Sequence, residues 1–188
     1  MKKLFFIAFI GLIAYGCSNS SKTPAVKDSQ DQISENQVVF ENDLENALAG
    51  IPSWSNEKTI VKMPVDKAHS GEYVSMVNAV NMYSYAFKEN LENINEKLPI
   101  TVVVSGWFYS EVKNPDLGFV MDINDNNKSV IWKSYRLMEG GLSENQWHEF
   151  TANFEIDEPL KPGYQIKIFG YGAKKTAYFD DIKVTFKF

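Results

Sequence analysis

From Ile100 to the C-terminus, apolar and polar side chains alternate with a period of two, the repeat of a strand with one buried face. "LGFVMDI" (117–123) puts Leu117, Phe119, Met121 and Ile123 on one side. "WHEFTANFEI" (147–156) does the same with His148, Phe150, Ala152, Phe154 and Ile156. "ITVVVSGWFYS" (100–110) is β-branched and aromatic, and "SVIWKSYRL" (129–137) follows across "NDNNK" (124–128), an asparagine-rich hairpin turn. "YQIKIFGYG" (164–172) and "AYFDDIKVTF" (177–186) close the series. Earlier strands are expected at "QVVFE" (37–41), "KTIVK" (58–62), "EYVSMV" (72–77) and "MYSYAF" (82–87), with a helical turn only at "NDLENALAG" (42–50). About ten short strands with almost no helical periodicity predict an all-β sandwich or barrel, and a sandwich is the expectation adopted here.

The last strand raises a question. Its alternation places Tyr178, Ile182, Val184 and Phe186 on one face, and Asp180 falls on that face too. An ionised carboxylate facing a core costs several kcal/mol, on the order given by burial of charge, unless it is paired or holds a cation.

The N-terminus reads differently. Lys2 and Lys3 precede an apolar run from Leu4 to Ala14, too short for a comfortable membrane span, and small residues precede Cys17. "AYGC" (14–17) resembles the lipobox of bacterial lipoproteins, which implies that residues 1–16 are a signal peptide and that Cys17 is lipidated. The alternative is an ordinary secretory signal with an unpaired cysteine; Cys17 is the only cysteine, so it has no intramolecular disulfide partner. Ser18 after the cysteine fits sorting to the outer membrane, and "SNSSKT" lacks the acidic patch associated with surface export, which favours the periplasmic face. Residues 17–36, the lipidated cysteine and a polar stretch, are expected to form a tether, since they cannot bury enough apolar surface to offset chain entropy. Residues 37–188 are left for one domain.

Removing residues 1–16 takes away two lysines and no acids, so the formal charge moves from −5 to −7. An acidic domain is a poor partner for nucleic acid or anionic headgroups, so the lipid anchor is the expected membrane contact.

"VVFEND" (38–43), Trp54, "AHSGEYVSMV" (68–77), "VVVSGWFYS" (102–110), "NQWHEFTANFEI" (145–156) and "AYFDDIKV" (177–184) occur in an order that resembles the galactose-binding-like jelly rolls. The likeness is to carbohydrate-binding modules of families four, nine and twenty-two. It implies a jelly-roll β-sandwich over residues 37–188 and a structural calcium ion where the first and last strands meet. The matching ligands would be Glu41, backbone carbonyls around Ser70–Glu72, and Asp180. Calcium's demand for carboxylate and carbonyl oxygens agrees with that set. The competing reading has Asp180 accepting backbone hydrogen bonds at a bulge, with Asp181 exposed. "DINDNNK" (122–128) mimics an EF-hand opening but has Asn127 where glycine is needed and Lys133 where glutamate should close the shell, so the hairpin reading is preferred.

No catalytic motif stands out. His69 lies in a turn, and His148 has inward parity and reads as a hydrogen-bonded core histidine. "GLSEN" (141–145) is not a nucleophile elbow, no zinc spacing occurs, and "GYGAKKT" (170–176) fails the phosphate-loop spacing. Asp122, Glu149 and Glu155 are strand acids without a recognisable facing pair, so the domain is expected to be non-catalytic.

A sugar would need an aromatic platform with polar readers beside it. Trp54, Tyr109, Trp132, Tyr135 and the "YSY" of 83–85 are the platform candidates, with Arg136, Asn78 and Gln165 as readers. Trp107 and Trp147 match the family's packing tryptophans and are set aside. Trp132 shares the face of Val130, which favours a core position over a platform. The expected partner is a polysaccharide or oligosaccharide; the alternative is docking to a protein of the envelope.

Overall fold

The structure is a computed structural model, and it describes residues 36–188 apart from 65, 66, 115 and 173. The signal peptide, Cys17 and the tether lie outside the described residues.

Among the described residues, eleven strands form two antiparallel sheets. One sheet has five strands in the order β2 (Trp54–Ser55), β5 (Ala86–Asn90), β10 (Gln165–Tyr171), β7 (Gly118–Asp125), β8 (Lys128–Arg136). The other has six, in the order β3 (Ile60–Lys62), β4 (Tyr73–Val77), β11 (Ala177–Lys187), β6 (Thr101–Ser110), β9 (Trp147–Glu155), with β1 (Gln37–Asn42) also pairing with β11. β11 holds β6 along one edge; along the other it pairs first with β4 and then with β1. Sequence-distant strands are thus neighbours, as in a jelly roll. The only α-helix among the described residues is one turn, α1 (Leu91–Ile94), which the sequence pattern did not signal.

The inner faces follow the alternation read from the sequence. Val102, Val104 and Phe108 of β6 meet Phe119, Met121 and Ile123 of β7 in one core with Phe150 and Phe154 of β9. Phe119 stacks on Phe150 with centroids 4.8 Å apart and meets Phe179 edge-on at 5.2 Å. Phe87, Phe108, Phe119, Phe179 and Phe186 are fully buried, each contributing about 1.5–3 kcal/mol of burial free energy. With no disulfide available, this aromatic layer carries the domain. The β7–β8 hairpin turns on Asn126 and Asn127 at φ 47° and 66°, the two left-handed positions that a two-residue primed turn demands.

Candidate functional site

Asp180 is fully buried, but not for the reason its parity suggests. The register of β11 against β6 slips between Asp180 and Lys183, with Asp181 at φ 50°. Gly106 lies opposite this bulge, where a Cβ would come within 2.7 Å of Ile182 Cδ1. One extra residue reverses the faces. Ala177 and Phe179 point into the core, while Tyr178 and Asp180 pair with Tyr109 and Trp107 on the outer side of the six-stranded sheet. The loop from Lys67 to Glu72 then roofs the carboxylate. Asp180 Oδ2 accepts the Ser70 amide at 3.1 Å and its Oδ1 accepts the Asp181 amide at 2.8 Å. Burial pushes its pKa up to about 7 against these hydrogen bonds. Asp181 is half-buried and takes the Ser70 hydroxyl at 2.8 Å and His69 Nδ1 at 2.7 Å.

Of the calcium ligands implied by the resemblance, Asp180 accepts backbone amides, and the two glutamates pair with lysines. Glu41 is turned to Lys183 at 2.7 Å and Glu72 to Lys62 at 2.7 Å, both largely exposed. The glutamate that grips the 70–73 loop is Glu45, whose Oε1 accepts the amides of Glu72 and Tyr73 at 2.8 and 2.9 Å. His69, Asp180 and Asp181 do cluster, but an imidazole is a poor calcium ligand and the carboxylates already have donors.

The aromatic candidates separate onto three surfaces. Trp54 is not in a loop. It forms the two-residue strand β2 opposite Phe87, is 7% exposed, and stacks on Tyr85 at 5.8 Å and against Phe87 at 5.6 Å. It is a core residue and offers no platform. Tyr109 is half-buried on the outer face of the six-stranded sheet, 5.7 Å from Trp147 and 5.9 Å from Tyr178. Trp107 and Trp147, set aside as packing tryptophans, are on that outer face as well. His69 stacks on Trp107 at 3.9 Å, and Trp147 Nε1 donates to the Lys67 carbonyl at 2.8 Å.

Trp132 stands on the outer face of the five-stranded sheet, 55% exposed, contrary to the core position its company with Val130 suggested. Val130 itself is exposed, beside the register shift between β7 and β8. The Trp132 indole meets Phe169 of β10 edge-on at 5.9 Å, and Phe169 meets Tyr83 at 5.1 Å, giving an aromatic row across the strands. Tyr83 is 46% exposed and is held by an isolated bridge to Tyr171 and by Asn56 Nδ2, which donates to the carbonyls of Tyr83 and Ser84 at 3.0 and 2.9 Å.

Trp132 forms a shared wall of two shallow grooves. One, about 430 Å³, carries Asp116, Ser134, Tyr135, Arg136 and Tyr171. Gly118 underlies it where a Cβ would lie 2.6 Å from the Tyr135 carbonyl. The other, about 320 Å³, carries Asn56, Tyr83, Asp122, Lys167 and Phe169. Of the ligand residues predicted from sequence, Trp132, Tyr135 and Arg136 are brought together here; Tyr109 and Trp54 are not. Phe169, Lys167 and Tyr171 were missed, although the alternation of "QIKIFGY" already placed them on one face. Asp122 takes the Ser129 hydroxyl at 2.7 Å, while Glu149 and Glu155 lie on β9 of the other sheet, so these three acids face no common cleft. His148 keeps its inward parity, half-buried with its ring 5.4 Å from Phe108, and Nε2 donates to the Ser143 carbonyl at 2.8 Å.

No protein-family model and no curated protein matches the chain. Among solved structures it is similar to the CBM22-2 xylan-binding domain from Paenibacillus barcinonensis Xyn10C, with 14% identity, a TM-score of 0.53, and coverage of 79% of this chain and 99% of that one. The tandem CBM22-1–CBM22-2 domain of the same protein gives 13% identity and a TM-score of 0.53, over 82% of this chain and 48% of that one. At such identities the likeness is one of fold. The domain is a jelly-roll β-sandwich of the kind found in carbohydrate-binding modules.

Proposed function

We propose that this chain is a non-catalytic carbohydrate-binding lipoprotein, anchored through Cys17 in the outer membrane on its periplasmic side, that takes a polysaccharide or oligosaccharide across the five-stranded sheet. The observation that carries the reading is the aromatic row in which exposed Trp132 and exposed Tyr83 flank the buried ring of Phe169, with polar groove walls beside it. A pyranose ring has an apolar face of C–H groups that stacks on an indole, while its equatorial hydroxyls need donors and acceptors at the ring edge. Trp132 supplies the first, and Ser134, Arg136, Asp116 and Asn56 stand where the second is needed. The xylan-binding domain that shares the fold lends further support.

The test is electrophoresis of the purified full-length chain through gels containing xylan, galactan, glucan or pectin. Retardation by one class, abolished in Trp132→Ala, is expected. Free migration in every gel, or equal retardation of the variant, overturns the reading and turns attention to an envelope protein as partner.

A further inference from the structure

The domain is acidic, yet its acids and bases are unevenly placed. The ion pairs found among the described residues are Lys62–Glu72, His69–Asp181, Lys133–Glu158 and Lys183–Glu41. None uses Lys88, Lys167 or Arg136, and all three belong to the outer face of the five-stranded sheet. Lys167 of β10 lies in the groove beside Trp132, directly opposite Lys88 of β5 in the antiparallel register. Like charges directly opposite one another on paired strands are destabilising, and among the described residues no carboxylate forms an ion pair with either lysine. The acid on the other flank of Lys167 is Asp122, which is 8% exposed and occupied with the Ser129 hydroxyl. Arg136 lines the neighbouring groove with Asp116 across from it, the two not within ion-pair distance. Among the described residues the two grooves therefore hold two cations outside any ion pair, Lys167 and Arg136, with Lys88 flanking Lys167, in a protein whose formal charge is −5.

We infer that the grooves on either side of Trp132 select a glycan bearing anionic substituents, carboxylate or sulfate ester, which Lys167 and Arg136 receive while Trp132 stacks on the ring. This rests on the sugar-binding reading above and names its ligand class. A neutral glycan would leave the Lys88–Lys167 repulsion in place, and an anionic one relieves it. A charge-assisted hydrogen bond in a partly desolvated groove is worth enough to favour the charged polymer by about tenfold.

The experiment is isothermal titration of the full-length chain with polygalacturonate, dextran sulfate and neutral xylan, at low and at physiological salt. At least one anionic polymer is expected to bind about tenfold more tightly than xylan, with that ratio shrinking as salt screens the contact. Which of the two it is identifies the anion. In Lys167→Gln combined with Arg136→Gln the ratio should fall towards unity, a comparison within one protein that a folding defect does not mimic. Neutral xylan binding as tightly as both anionic polymers, or a ratio that ignores the double substitution, overturns the inference and leaves the sugar-binding reading standing. If none of the three polymers binds, the anionic-ligand inference falls, and the sugar-binding reading falls with it only if the gels are blank as well.

Discussion

On the five-stranded sheet, Trp132 and Tyr83 stand in solvent with open grooves beside them, and among the described residues Lys167 and Arg136 form no ion pair. On the six-stranded sheet, Trp107 lies under His69, Trp147 donates to a loop carbonyl, and Asp180 is roofed by residues 67–72. Both faces are rich in aromatics, so aromatic content alone does not mark a binding surface. What separates them is whether the chain's own loops use the rings. The six-stranded face engages Trp107, Trp147, Asp180 and Asp181 internally, through the bulge at Asp180 and the loop that closes over it, although a groove of about 300 Å³ lined by Asp43 and Glu149 still opens beside Trp107. The five-stranded face leaves its exposed rings for something else.

The largest effect should come from confusing core with surface. Trp54→Ala removes a buried ring between Tyr85 and Phe87 and should cost about 3–5 kcal/mol of stability, read as a large drop in denaturation midpoint. Trp132→Ala should leave that midpoint nearly unchanged, yet weaken glycan affinity by about thirtyfold or more, since a central aromatic anchor is worth at least ~2 kcal/mol. If the two tryptophans exchange behaviours, the assignment of the faces is wrong.

The closed face should announce itself through pH. The buried Asp180 carboxyl is raised from its ordinary value of 3.8 to about 7, so between those values the folded chain keeps a proton that the unfolded chain has released. Stability from this group is therefore fullest below the ordinary value and is lost as pH rises through about 7, by on the order of 2 kcal/mol between pH 5 and pH 8. Thermal melts across that range should show the slope in the wild type, and Asp180→Asn should flatten it. A chelator added at pH 8 is expected to leave the wild-type melt where it is. A clear drop would return calcium to Asp180. The smallest effect is expected from Tyr109→Ala, which should shift glycan affinity by less than about twofold because its ring belongs to the other face.

How far the sequence could be read follows from which features are local. Strand positions after Ile100 and the Asn126–Asn127 turn were legible because alternation and left-handed tolerance are properties of a few adjacent residues. The bulge was not, since one residue inserted opposite Gly106 leaves the apolar pattern of "AYFDDIKVTF" readable in either register. That is why Tyr178 was put on the core side and Asp180 was expected to hold a cation. Trp54 escaped for another reason: β2 is only two residues long and exists because β5 is there to pair with it. In the structure Tyr109 and Trp132 both point outward, but strand pairing decides which sheet each face belongs to, and no single strand encodes that. Trp132 was judged by Val130, an apolar neighbour that the β7–β8 register shift leaves exposed.

The central claim is that the five-stranded face, through Trp132, holds a sugar chain. The most direct measurement is a glycan array probed with the wild-type full-length chain, Trp132→Ala and Tyr109→Ala side by side. The account predicts one class of polysaccharide bound by the wild type and by Tyr109→Ala and lost in Trp132→Ala. Binding that survives Trp132→Ala but disappears in Tyr109→Ala, or an array blank for all three proteins, would contradict it.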